Sequence, residues 1–126
     1  MQMKELTKAQ EEILQAIWEI REGAVSDVLN VIPEPKPAYN TVATVIKVLE
    51  NKGYVAHRTF GKTNVYFSII DKNKYAEYKA KNVFRELYDH SLNRLVSPFI
   101  KSNQVSLQEL EELKELIEKE IVNKKK

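Results

Sequence analysis

The chain has 126 residues, room for one domain with a core, or for one compact domain carrying an oligomerisation element. With 43% hydrophobic and 30% charged residues it reads as globular rather than disordered, and the absence of cysteine removes disulfides, thiolate metal sites and Cys nucleophiles together. A net charge of +2 decides nothing, but residues 36–67 set five cations against Glu50 alone while residues 104–122 set six glutamates against two lysines, so the middle is the part suited to a polyanion.

No apolar run is long enough to span a bilayer, and residues 1–6 lack the apolar stretch of a signal peptide, so a cytoplasmic protein is expected. Thr7-Lys8-Ala9-Gln10 has the form of a capping box, in which each side chain satisfies the other's backbone amide. It predicts a helix with Ala9, Ile13, Leu14, Ile17 and Trp18 inward, ending near Arg21 and Gly23. A shorter helix is predicted over 24–32, with Val25, Val28, Leu29 and Ile32 at i, i+3, i+4 and i+7. Pro33 and Pro35 stop it, and the alternating prolines through Pro37 hold the connection extended.

The third helix is predicted over 37–53. Pro37 suits its first turn and Gly53 the left-handed residue after its end. Ala38, Val42, Val45, Ile46 and Leu49 form an apolar stripe; Asn40, Thr44, Lys47 and Asn51 gather on the opposite side, with Thr41 and Ala43 flanking them. That polar side is neutral or positive, as a helix lying in a DNA groove requires. Beyond Gly53 the period falls to two: 54–60 and 64–70 predict an antiparallel hairpin turning at Gly61-Lys62-Thr63. Val65, Phe67 and Ile69 are expected to pack on the helices, with Asn64, Tyr66 and Ser68 outward, because a two-stranded hairpin needs a covered face. Three helices followed by a β-ribbon is the order of a winged helix-turn-helix.

The rest is predicted helical. A pattern from Lys72 carries Tyr75, Tyr78, Phe84, Leu87, Tyr88, Leu92, Leu95, Val96 and Phe99, with a break expected at Asp89-His90-Ser91 and at least a kink at Pro98. Ser106-Leu107-Gln108-Glu109 is a second capping box, opening a helix with Leu110, Leu113, Leu116, Ile117 and Ile121 inward. These helices hold more large apolar side chains than a surface pair can hide, and the expected cover is a second copy. The dimerisation set is Phe84, Leu87, Tyr88, Leu92, Leu95, Val96, Phe99, Leu110, Leu113, Ile117 and Ile121. The expected fold is mainly α with a small antiparallel β wing: a winged-helix DNA-binding domain over 1–70, then a helical dimerisation domain over 71–126.

Leu6-Thr7-Lys8-Ala9-Gln10-Glu11-Glu12-Ile13, Trp18-Glu19, Pro33-Glu34-Pro35-Lys36-Pro37-Ala38-Tyr39, Thr41-Val42-Ala43-Thr44 and Leu49-Glu50-Asn51-Lys52-Gly53-Tyr54 together resemble the penicillinase-repressor family. That family includes the β-lactamase and methicillin-resistance repressors and the copper-responsive repressors. The likeness runs over 6–116 and is strongest over 37–54. It implies a homodimeric winged-helix repressor of a palindromic double-stranded DNA operator, paired through its C-terminal helices. It also implies a membrane-bound sensor peptidase, encoded nearby, as a partner. Two departures limit the transfer: without cysteine, copper sensing by the family's cysteine site is excluded, and the Asn-Phe bond cleaved in the β-lactam branch corresponds here to Pro98-Phe99.

Groove contacts are assigned to Asn40, Thr41, Thr44 and Lys47, with Ala43 or the Thr44 methyl against a thymine methyl. Tyr39 and Lys36 at the helix entrance, Lys62 at the 60–64 wing and Arg58 beside it are assigned to phosphate. A dimer making ~6–8 such contacts is expected to show a log–log salt slope of about −5 to −7. His57 and His90 lie far apart with no ligand spacing, and the three glycines form no phosphate loop, so neither metal, cofactor nor enzymatic activity is expected. The competing reading is a winged-helix protein-interaction adaptor without DNA binding, which would put apolar or acidic residues on the open face of the third helix.

Overall fold

The computed structural model describes residues 3–126; Met1 and Gln2, part of the stretch read above for a signal peptide, lie outside the described residues. The chain divides into two compact units, the first ending at Lys79 and the second running from Ala80 to Lys126.

In the first unit α1 (Lys8–Ile20) opens on the expected capping box: Gln10 N–H donates to Thr7 Oγ1 at 3.2 Å and Thr7 N–H to Gln10 Oε1 at 3.0 Å. Arg21, at φ 71°, ends the helix and delivers the chain to β1 (Glu22–Gly23). This two-residue strand is too short to leave a periodic signature, and its partner lies more than forty residues away. α2 (Val25–Val31) follows, and after the proline segment α3 spans Tyr39–Asn51 with Ala38 as N-cap. Pro37 therefore stands before the helix rather than in its first turn, and Ala38 is exposed instead of joining the stripe. Ala9 is likewise exposed.

α3 ends in a Schellman motif. With Gly53 at φ 86°, Gly53 N–H donates to Glu50 O at 3.1 Å and Tyr54 N–H to Leu49 O at 3.0 Å. Leu49 and Tyr54 make the hydrophobic contact that accompanies this motif, both fully buried. The core comprises Ile13, Leu14 and Ile17 of α1, Val28 of α2, and Val42, Ile46 and Leu49 of α3. Tyr54 and Tyr75 close it from the far side.

β2 (Val55–Phe60) and β3 (Thr63–Ser68) form the hairpin, and the sheet order is β1-β3-β2, all antiparallel. The loop is the two-residue Gly61-Lys62, with Gly61 at φ 61° as the first central position of a type II′ turn requires. The covered face is the opposite of the one expected. Tyr66 and Ile70 are buried, Ser68 is half-buried, and Ile69 is 57% exposed. Ser68 tolerates the inward side because Trp18 Nε1 donates to its Oγ at 3.0 Å and to Ile70 O at 2.9 Å. Phe67 tolerates the outer side because the Arg58 guanidinium lies 4.6 Å from its ring centroid. Trp18 is thus a half-buried tie between α1 and the sheet rather than a core side chain.

α4 (Lys72–Leu87) begins in the first unit, where Tyr75 packs against Trp18 and Tyr54 at ring-centroid distances of 5.7 and 5.8 Å. Its hydroxyl donates to Glu11 Oε2 at 2.5 Å, and Lys79 Nζ stands 3.2 Å from the same oxygen. The helix stops where expected, with Asp89 and His90 at φ 48° and 62°.

In the second unit α5 (Leu92–Lys101) is capped by Ser91, whose hydroxyl accepts from Arg94 N–H, and it continues through Pro98. α6 (Leu107–Lys125) opens on the Ser106/Glu109 capping box. Neither helix buries a residue. Phe84, Tyr88, Leu95, Val96, Leu110 and Leu113 are half-buried. Leu87, Leu92, Phe99, Ile117 and Ile121 are 48–69% exposed, and Leu107, Leu116 and Val122 are more than half exposed. Among the described residues no helix is long and apolar enough to cross a membrane.

Candidate nucleic-acid interface

The side chains of α3 sort by angle. Val42, Ile46 and Leu49 point into the core; Asn40, Thr44, Lys47 and Asn51 are all exposed on the opposite side. Thr41 is exposed on one flank beside half-buried Val45, while Ala43, on the other flank, is half-buried against the core. The Ala43 methyl is therefore less available to a thymine than the sequence suggested. Thr44 Oγ1 donates to Asn40 O at 2.9 Å, which uses its proton and leaves the methyl and the oxygen lone pairs for a ligand.

Glu50 is the only acid on this helix. Its Oε2 lies 2.5 Å from His57 Nδ1 on β2, so its charge is engaged by the wing rather than added to the open side. His57 also meets the Tyr66 ring at 5.4 Å and is more exposed than a core residue of the hairpin would be. At the other end of α3, Ala38 offers no side-chain cap and the first turn has no acid. The N–H groups of that turn and the positive end of the helix dipole are left for an anion. Tyr39, 52% exposed, stands beside them.

The five cations of the basic middle are not equivalent. Lys36 Nζ donates to Leu29 O, Asn30 O and Ile32 O at 2.9, 3.0 and 2.8 Å. Its ammonium caps the C-terminal carbonyls of α2, and that commitment removes it from the phosphate set. Lys52 Nζ donates to Glu5 O and Gln10 Oε1, both at 2.9 Å, and ties the N-terminal segment to the end of α3. Arg58 is paired with Glu22 across the sheet and stacked on Phe67. Only Lys47 on the open side of α3 and Lys62 at the hairpin tip have no partner among the described residues.

Among the described residues no group of three or more His, Cys, Asp or Glu gathers where it could hold a metal ion. Burial pushes the Tyr54 hydroxyl up to about 12, and Tyr75 is raised further by burial and by the Glu11 carboxylate it donates to. Both phenols are neutral structural donors, and Tyr54 spends its proton on Lys4 O.

Residues 6–119 match the sequence profile of the family described as penicillinase repressor. The chain is similar to the penicillinase repressor of Bacillus licheniformis, 28% identical over 123 residues that cover 97% of this chain and 95% of that protein. It is also similar to the methicillin resistance regulatory protein MecI of Staphylococcus aureus (strain N315), 25% identical over 116 residues, 91% of this chain and 94% of that one. Among solved structures, a mutant of MarR from E. coli aligns over 93% of this chain and 79% of its own. The TM-score there is 0.49 at 16% identity, too distant a likeness to bear on function.

Proposed function

The chain belongs to the penicillinase repressor family, and from that premise we propose that it is a homodimeric transcriptional repressor which binds a palindromic operator in double-stranded DNA. The observation that carries this reading is the open side of α3: Asn40, Thr44, Lys47 and Asn51 are exposed together, with the one acid of the helix engaged by the wing. An adaptor without DNA binding would carry apolar or acidic residues there, and this side carries neither. In the major groove Asn40 suits adenine, Lys47 suits guanine, and the Thr44 methyl suits thymine. Tyr39 and the uncapped N–H groups of α3 take phosphate at the groove edge, and Lys62 takes phosphate at the wing. Thr41, exposed on the flank, reaches the groove beside them, whereas half-buried Ala43 and paired Arg58 contribute less than their positions in the sequence implied.

In this reading the first unit carries the duplex and the second, with its exposed apolar side chains, pairs two protomers in the cytoplasm. The Pro98–Phe99 bond, where the family resemblance would put a peptidase's cut, lies inside α5, and Pro98 O accepts Ser102 N–H at 3.2 Å. A helical bond preceded by proline is poorly shaped for cleavage, so release from DNA by another route is favoured. The test is a gel-shift titration on operator DNA selected from the source genome. Asn40→Ala and Lys47→Ala should each weaken binding by ~1–3 kcal/mol and relax preference at one base position, with the dimer intact. Unchanged binding by the double variant would remove α3 from the major groove.

A further inference from the structure

Away from the open side of α3, the first unit has an open groove of about 1130 Å³ between α1 and the 33–37 proline segment. Its apolar lining includes Ile13, Ala16 and Trp18 of α1, Pro33 and Pro35 of the connection, and Val45 of α3. The two prolines make a stiff wall, so a ligand loses little to ordering the site. Trp18 has already given its only polar hydrogen to Ser68 and Ile70, and its ring offers the groove hydrocarbon and π surface alone.

The charges along the same lining are uneven. Glu12, Glu19 and Glu34 stand there against Lys36 and Lys72. The Lys36 donors are taken by three α2 carbonyls while its charge stays, so the lining sets three carboxylates against two ammonium groups. Glu12 and Glu19 are exposed, two turns apart on one side of α1, with no hydrogen bond or ion pair among the described residues. An apolar trough flanked by unpaired carboxylates and an aromatic ring selects against anions and for positive charge on a greasy body.

We propose that this groove binds a lipophilic organic cation, its body against Ile13, Ala16 and Trp18 and its charge between Glu12 and Glu19. We place the regulatory consequence in α3. Thr41, itself assigned to the DNA groove, and Val45 line this trough, so an occupant presses on the seat of that helix against α1 and lowers its affinity for the operator. Binding of the cation stands on the groove alone; the effect on DNA rests on the function proposed above.

Trp18 is the only tryptophan in the chain, so its emission reports the groove directly. The full chain is titrated with tetraphenylphosphonium and, separately, with tetraphenylborate, which has nearly the same shape and the opposite charge. The expected result is a saturable change with the phosphonium at an affinity at least ~10-fold higher than that for the borate. A Glu12→Gln/Glu19→Gln double variant, with both changes exposed and the fold checked by circular dichroism, should lose most of that preference. No saturable change, equal affinity for the two ions, or an unchanged preference in the double variant overturns the site.

Added to the operator complex, the phosphonium should weaken DNA binding, and DNA should weaken phosphonium binding by the same factor. A cation that binds the free protein and leaves operator affinity unchanged overturns the coupling while the DNA-binding function stands. A protein that binds the cation and no DNA at all overturns that function while the groove stands.

Discussion

Lys36 and Lys62 are the same side chain in opposite circumstances, one with three carbonyls around its ammonium and one with none, and their removal should read out in different experiments. Lys36→Ala takes the cap from α2 and should cost about 1 kcal/mol of stability in urea unfolding, with the salt dependence of DNA binding unchanged. Lys62→Ala should leave the urea midpoint alone and flatten the log–log salt slope by roughly one unit per protomer. If Lys36→Ala altered the salt slope instead, its ammonium would belong to DNA. The wild-type slope follows from the same sorting. With Lys36 and Arg58 committed within the protein, fewer than ~6–8 phosphate contacts remain for a dimer, so the slope should be shallower than about −5 to −7. Glu11 supplies a pH dependence at this scale. The Tyr75 hydroxyl holds its carboxyl below the usual 4.5, burial opposes this, and the Lys79 ammonium adds to it. A carboxyl depressed in the folded state stabilises above about 4.5, and that contribution is lost as pH falls through the lower folded value. Tyr75→Phe should therefore flatten the acid limb of a stability–pH profile and cost about 1 kcal/mol at neutral pH.

At the scale of elements, α4 belongs to the first unit for its opening turns. Tyr75 is 4% exposed and joins the aromatic contact among Trp18, Tyr54 and Tyr78. A fragment ending at Lys79 should melt cooperatively as a monomer, whereas one ending at Ile70 loses the Tyr75 ring and should melt several degrees lower; equal melting temperatures would detach α4 from the core. The helices were legible because their signals agree: α1 opens on a capping box, and α3 ends on a Schellman glycine with a matching stripe. The face of the hairpin was not legible from alternation. Both faces of β3 carry large side chains, and the choice between them was made by Trp18, fifty residues away, which hydrogen-bonds Ser68, and by Arg58 on the adjoining strand, which shields Phe67. β1 left no trace for the same reason, since two residues become a strand only when β3 arrives beside them. In the candidate interface, the composition of α3 marked its open side correctly as exposed and nearly acid-free. It could not tell a lysine facing solvent from one folded onto carbonyls, because that depends on where α2 ends in space.

At the scale of the whole molecule, every buried residue of the core lies at or before Tyr75, and α5 and α6 have none. In the proposed dimer, pairing of two protomers through these helices would cover Leu92, Phe99, Leu116 and Ile117 together. Ile117→Glu, half exposed in one protomer, should shift the molecule to a monomer in analytical ultracentrifugation and weaken operator binding by at least ~10-fold, while the melting of the first unit stays unchanged. A stable dimer of that variant would put the contact elsewhere. A tail without an interior of its own also has a consequence for supply. If protomers pair as proposed, newly made chains must find one another before those apolar side chains are sheltered. In that reading operator occupancy falls more steeply than in proportion as copies become few, because both pairing and binding depend on concentration.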